Sequence, residues 1–151
     1  MRMKTIYKIS VLLFAAFAFA FTGCKKDEAI DSNVPTIELE SVSSTNVLEG
    51  DPLTFKIKYT DGDGDLGENN PDAHNLFLTD NRVNVTYEYR IQELSPSGST
   101  IIIRGHLNVE LNSTAITDGS NSQSVTYSIH VVDRAGNQSN TVTSSAITIH
   151  K

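Results

Sequence analysis

Residues 61–72 read DGDGDLGENNPD, and theirs are the side chains best placed to do chemistry. Asp61, Asp63 and Asp65 alternate with Gly62 and Gly64, and Glu68 and Asp72 follow. Six of the chain's 18 acids fall between positions 61 and 80, so negative charge is concentrated here. Carboxylates this close repel one another when alone and become ligands when a cation sits among them. A hard cation such as calcium takes about six to eight oxygens at roughly 2.3–2.6 Å. The intervening glycines can adopt positive φ, which lets the backbone curl until alternate carboxylates converge. The expected primary ligands are Asp61, Asp63 and Asp65, with Glu68 or Asp72 completing the shell and Asp133 contributing from a distant turn. The plain alternative is an acidic, solvated turn.

The spacing resembles the D-x-D-x-D calcium loop of EF-hands and of several helix-free modules. Leu66 stands sixth, where the EF-hand has glycine, and the glycine comes one later at Gly67. Asp72 stands twelfth, where a bidentate Glu is usual. No helical period flanks the loop, which excludes an EF-hand proper. Residues 59–67, YTDGDGDLG, also resemble a stretch that recurs in lipoproteins of the Bacteroidetes group.

Other chemistry is poorly represented. The chain has no G-x-S-x-G, no H-E-x-x-H and no glycine-rich phosphate loop, so no catalytic residues are expected. His106 and His130 fall on the polar phase of their segments, His74 in a loop and His150 beside the last residue, so all four read as surface histidines. Three N-x-S/T matches, at Asn84, Asn112 and Asn137, are three-residue patterns that carry almost no weight. A sugar platform would need exposed aromatics. Beyond residue 23 the chain has no Trp and six aromatics, of which Phe55, Tyr59, Tyr87, Tyr89 and Tyr127 fall on apolar phases, leaving Phe77 unassigned.

These side chains must be positioned by strands. From residue 35 onward the pattern has period two: Leu53, Phe55, Ile57 and Tyr59 alternate with polar residues. So do Val83, Val85, Tyr87, Tyr89 and Ile91, then Ile101, Ile103, Leu107, Val109 and Leu111, and finally Val125, Tyr127, Ile129 and Val131. Each run describes a strand with one buried and one wet face. Shorter candidates cover residues 36–42, 76–79 and 141–149. The expected inward set is Leu53, Phe55, Ile57, Val85, Tyr87, Tyr89, Ile103, Leu107, Val109, Tyr127, Ile129 and Val131. Residues 95–98, SPSG, read as the turn of a hairpin between two long strands, and residues 135–137, AGN, as a second. The fold class is therefore all-β, an antiparallel sandwich of about seven strands with negligible helix. If the strands alternate in direction and residues 76–79 are one of them, the acidic loop and the turn at residues 133–137 lie at the same end. The stretch VVDRAGNQS at residues 131–139 resembles the final hairpin of bacterial immunoglobulin-like domains, which implies an immunoglobulin-like sandwich.

The address is written before the domain. Arg2, Lys4 and Lys8 precede an apolar run of 11 residues, 11–21, and Thr22-Gly23 leads to Cys24, the only cysteine. That run is too short to span a bilayer as a helix, which needs roughly 20 residues, and reads as a signal-peptide core. Phe21-Thr22-Gly23-Cys24 resembles a lipobox, apart from Phe21 where Leu is usual. This implies that residues 1–23 are removed, that Cys24 is lipidated, and that residues 24–35 form a tether to the domain at 36–151. Lys25-Lys26-Asp27-Glu28 resembles the export signal of Bacteroidetes surface lipoproteins, which places the protein on the outer membrane, exposed at the cell surface. Without residues 1–23, which hold three basic residues and no acid, the formal charge moves from −6 to −9. Such a surface repels phosphate backbones, so nucleic acid is not an expected partner. The membrane is reached through the acyl group on Cys24, and a further partner would be a protein or a glycan. The expected role is a non-catalytic, calcium-binding interaction or spacer module. The alternative is a glycan-binding accessory lipoprotein of a polysaccharide-handling complex.

Overall fold

The computed structural model describes residues 32–151, which contain strands, turns and no helix. The signal segment, Cys24 and the Lys25–Glu28 motif lie outside the described residues. The described strands are β1 (Thr36–Val42), β2 (Asn46–Leu48), β3 (Leu53–Asp61), β4 (Leu76–Asp80), β5 (Val85–Tyr89), β6 (Ile103–Leu111), β7 (Ser122–Val125), β8 (Tyr127–Val131), β9 (Val142–Thr143) and β10 (Ile147–His150). One layer is β1-β3-β6. The other is built from two short sheets, β5-β4-β8-β9 and β2-β10-β7. Thr126 alone separates β7 from β8, so one continuous run serves both short sheets.

Apolar residues at every second position drive this layering. Along β3, Leu53, Phe55 and Ile57 are fully buried while Thr54, Lys56 and Lys58 face outward. Tyr127, Ile129 and Val131 of β8 come from the opposite layer. The Phe55 and Tyr127 rings meet edge to face across the core, with centroids 5.3 Å apart. Gly105 lies opposite Tyr59 in the β3–β6 ladder. A Cβ there would stand 2.6 Å from the Tyr59 hydroxyl, so the missing side chain makes room for the ring.

Four features differ from the sequence expectation. First, Val85 and Tyr87 are exposed, at 46% and 37%, and Tyr89, Ile103 and Leu107 are half-buried. The β5 phase is as expected, because Val85, Tyr87 and Tyr89 sit opposite the buried Asp80, Leu78 and Leu76. The facing layer ends at β6, however, so no strand beyond it covers the outer part of that face of β5. Second, residues 90–102 are not a hairpin loop. They carry the chain from one layer to the other, since β5 pairs with β4 and β6 with β3. Third, the last candidate strand is split. β9 pairs with β8 and β10 with β7, and the Ser144 hydroxyl accepts the Tyr127 amide at 3.0 Å where the ladder breaks. Fourth, the pairing is not wholly antiparallel. After β1 the chain crosses layers, and β2 runs parallel to β10.

Candidate metal centre

The acidic loop starts where β3 stops. Asp61 is the last residue of β3 and is fully buried. Its Oδ2 accepts the Leu66 amide at 2.8 Å, folding residues 61–66 into a tight curl. Leu66 is fully buried with the core. A leucine in the glycine position of the familiar calcium loop therefore pins this loop to the sandwich. Gly67 adopts φ +83°, and a Cβ there would drive into the Gln92 carbonyl oxygen. The loop is also held from three sides. Ser95 donates its hydroxyl to the Gly64 carbonyl, the Glu68 amide reaches the Ile91 carbonyl at 3.0 Å, and the Gly62 amide reaches the Ser32 carbonyl at 3.0 Å.

The hairpin between β8 and β9 arrives at the same end. Its turn is closed by the Asp133 carboxylate, which accepts the Asn137 amide at 2.7 Å and the Asn137 side chain at 2.9 Å. It is fastened to the acidic loop by the Arg134 and Ala135 amides, which donate to the Asp65 carbonyl at 3.3 Å and to Asp65 Oδ2 at 3.1 Å. As a result one carboxylate oxygen each from Asp61, Asp65 and Asp133 lies within 4.8 Å of the others. Asp133, remote in sequence, is thus central to the group.

Three carboxylate oxygens here, Oδ1 of Asp61, Asp63 and Asp65, are buried and accept no hydrogen bond. The nearby guanidinium does not supply them. Arg134 donates to the Gly67 carbonyl at 2.9 Å, the Gly64 carbonyl at 3.4 Å and Glu93 at 3.4 Å. A buried acceptor without a partner costs about 1–3 kcal/mol, and more when it is charged, so the arrangement is under electrostatic stress. Burial, reinforced by the charges of Asp63, Asp65 and Asp133 and opposed by the Leu66 amide, pushes the Asp61 carboxyl up to about 6. Burial, with the charges of Asp133 and Asp63, also raises Asp65, against the Ala135 amide and Arg134.

Asp63, expected as a primary ligand, lies outside the triad although its Oδ1 is buried without a partner, and Glu68 and Asp72 lie outside it as well. Past Gly67 the chain is drawn to Ile91, and Asp72 is exposed in a turn where its amide meets the Asn70 side chain at 3.1 Å. The buried Asn75 had no sequence signal. Its side-chain oxygen accepts the Ile91 amide at 2.6 Å, and its carbonyl accepts the Val132 amide at 2.9 Å, which ties the crossover to the end of β8. The histidines hold no site together. His106 meets Glu40 at 3.0 Å, His74 meets Glu88 at 2.8 Å, and His130 stacks on Phe77 with centroids 4.8 Å apart. On another flank a groove of about 560 Å³ opens between Tyr89, Ile91 and Leu94 on one side and Leu107, Val109 and Glu110 on the other.

No family model and no curated protein matches this chain. Among solved structures, a crystal structure of a mutant SrpA adhesin from Streptococcus sanguinis is similar, with 21% sequence identity and a TM-score of 0.34. The match covers 80% of this chain and 58% of that one, so the chain spans less than two thirds of its length.

Proposed function

We propose that the protein is a lipid-anchored, non-catalytic module of the outer-membrane surface, used for protein interaction or as a spacer, with one end held in shape by bound calcium. The observation that carries the calcium part is the set of buried carboxylate oxygens with no partner, Oδ1 of Asp61, Asp63 and Asp65. The donors on offer are oxygens alone, which suits a hard cation rather than zinc or copper. Asp61, Asp65 and Asp133 would hold the ion, with Asp63 beside them. The ion would supply charge neutralisation and cross-linking, with no reaction. A sugar-stacking platform finds less support: Tyr87 is the one exposed aromatic among the described residues, Phe77 has its ring against His130, and the Tyr89 hydroxyl is spent on the Glu110 carbonyl at 3.0 Å.

Thermal melts test the calcium part. Extracellular calcium modules bind at about 0.1–1 mM, and a hundredfold excess over Kd adds about 2.7 kcal/mol to the folded state. Melting at pH 7.5 should therefore rise by several degrees between chelator and saturating calcium, and Asp63→Asn should shrink the rise. The pH dependence has a definite sign. Burial holds the Asp61 carboxyl at about 6 in the folded state, above its ordinary value of 3.8. Its contribution to the metal-free protein is thus fully present below about pH 4 and is lost as pH rises through about 6. Calcium opposes that loss by favouring the ionised form, so the gap between the two melting curves should widen from pH 5 to pH 7.5. Coincident curves at every pH, with no heat of calcium binding, would reduce the loop to a solvated turn.

Fractionation tests the anchor. Expressed in its native host, the protein should partition with membranes, and Cys24→Ser should release or mislocalise it. A serine variant as membrane-bound as wild type would remove the lipid from this reading.

A further inference from the structure

The first strand begins between the two elements that would share the ion. On one side the Gly62 amide, flanked by Asp61 and Asp63, donates to the Ser32 carbonyl at 3.0 Å. On the other, the hairpin that carries Asp133 continues to Asn140, whose side chain binds both main-chain groups of Ile37. Its oxygen accepts the Ile37 amide at 2.9 Å, and its nitrogen donates to the Ile37 carbonyl at 2.8 Å. Pro35 and Ile37 are buried in this wedge, and β1 lies against β9. The start of β1 is thus clasped by the acidic loop from one direction and by the β8–β9 hairpin from the other.

We propose that cation occupancy of the Asp61–Asp65–Asp133 group controls how firmly residues 32–37, the root through which the chain enters the domain, are held on the sandwich. The inference rests on the calcium reading above and extends it from stability to regulation. Three like charges push the acidic loop and the hairpin apart, and with them the two hands of the clasp. An ion bridging Asp61 and Asp65 to Asp133 draws both hands onto β1. The domain then grips its own root where calcium is plentiful and loosens it where calcium is scarce. The ligands sit on two separate segments, the acidic loop and the hairpin, so releasing the root at Gly62 or at Asn140 strains the site, and that opening must also release the ion.

Amide hydrogen exchange on the full mature chain in detergent, with millimolar calcium chloride or with chelator, tests the coupling. Calcium at a hundredfold excess over Kd disfavours any opening that expels it by about a hundredfold. Exchange at Gly62 and Ile37 should therefore slow by up to that factor. The Asn84 amide, bonded to the Asp80 carbonyl at 2.8 Å in the β4–β5 turn, reports local opening remote from the ion and should change little. Asn140→Ala, which removes one hand and no ligand, should keep the calcium heat and the Gly62 response while losing most of the Ile37 response. Unchanged exchange at Gly62 and Ile37 alongside a clear calorimetric calcium signal would overturn this inference and leave the calcium reading standing. Absence of calcium heat would overturn both.

Discussion

Replacing Phe55 with alanine should cost about 3–5 kcal/mol of folding stability, the range for truncating a buried aromatic. The side chain is fully buried in the middle of β3 and its ring meets Tyr127 from the opposite layer. The loss has two parts: apolar area that no longer leaves water, and a cavity that flanking strands cannot close. An aromatic pair adds about 0.5–1.5 kcal/mol beyond area burial. Denaturant unfolding should show a lower midpoint with an unchanged slope. Phe55→Leu keeps most of the volume and should lose clearly less. Equal stability of Phe55→Ala and wild type would mean that the two layers do not meet at this residue.

Arg82→Ala should be similarly damaging, about 3–5 kcal/mol, because it strands a buried charge. Asp80 is 3% exposed at the end of β4. Arg82 meets it through two side-chain nitrogens, at 3.1 and 2.6 Å, and through its own amide at 2.9 Å. The third guanidinium nitrogen reaches Gln123 at 2.7 Å, which joins this turn to β7. Deleting the arginine leaves the carboxylate in apolar surroundings beside Tyr127, its partner in the β4–β8 ladder. The double variant Asp80→Asn/Arg82→Met removes both charges and should recover much of the loss. Were the double variant no better than Arg82→Ala, the damage would come from the turn rather than from the unpaired charge.

How far the sequence reveals this molecule depends on the range of the forces involved. Alternation along β3 and β8 is local, and Phe55 and Ile129 are buried as their phases require. Whether an apolar phase is covered depends on how many strands face it. Val85 and Tyr87 have the right phase on a strand that overhangs its partner layer, so alternation alone places them wrongly inside. The SPSG segment has hairpin chemistry, yet pairing across layers decides where β5 and β6 go. Turn residues do not encode that choice.

The candidate site divides in the same way. The convergence of Asp61 and Asp65 follows from a local curl over residues 61–66, in which Gly64 takes φ +75° while Gly62 does not take positive φ, and the Leu66 amide closes onto Asp61. The nearness of Asp133 follows from strand parity, because β4 exists and the chain reverses at each turn between the acidic loop and the last hairpin. Glu68 and Asp72 continue the same acidic run, but a backbone hydrogen bond to Ile91 redirects the chain before their carboxylates could join the triad. That bond pairs segments far apart in the sequence and leaves no local signal. Leu66 was visible as a departure from the calcium-loop pattern, and its burial explains why an apolar residue sits among acids.

The bond between Ser32 and Gly62 also bears on mechanics. The chain enters beside the acidic loop, β1 runs away from that end, and β10, parallel to β2, finishes at the other. A pull between the entry and the last residue acts along the axes of β1 and β10. Ladder hydrogen bonds in an antiparallel pair lie perpendicular to the strands, so such a pull loads the β1–β3 ladder in shear, with its bonds sharing the force instead of parting one after another. The β2–β10 pair takes the same kind of load at the far end. A domain held at residue 32 and pulled at its far end is thereby strung in its resistant direction, and the junction at residue 32 is where tension first enters it.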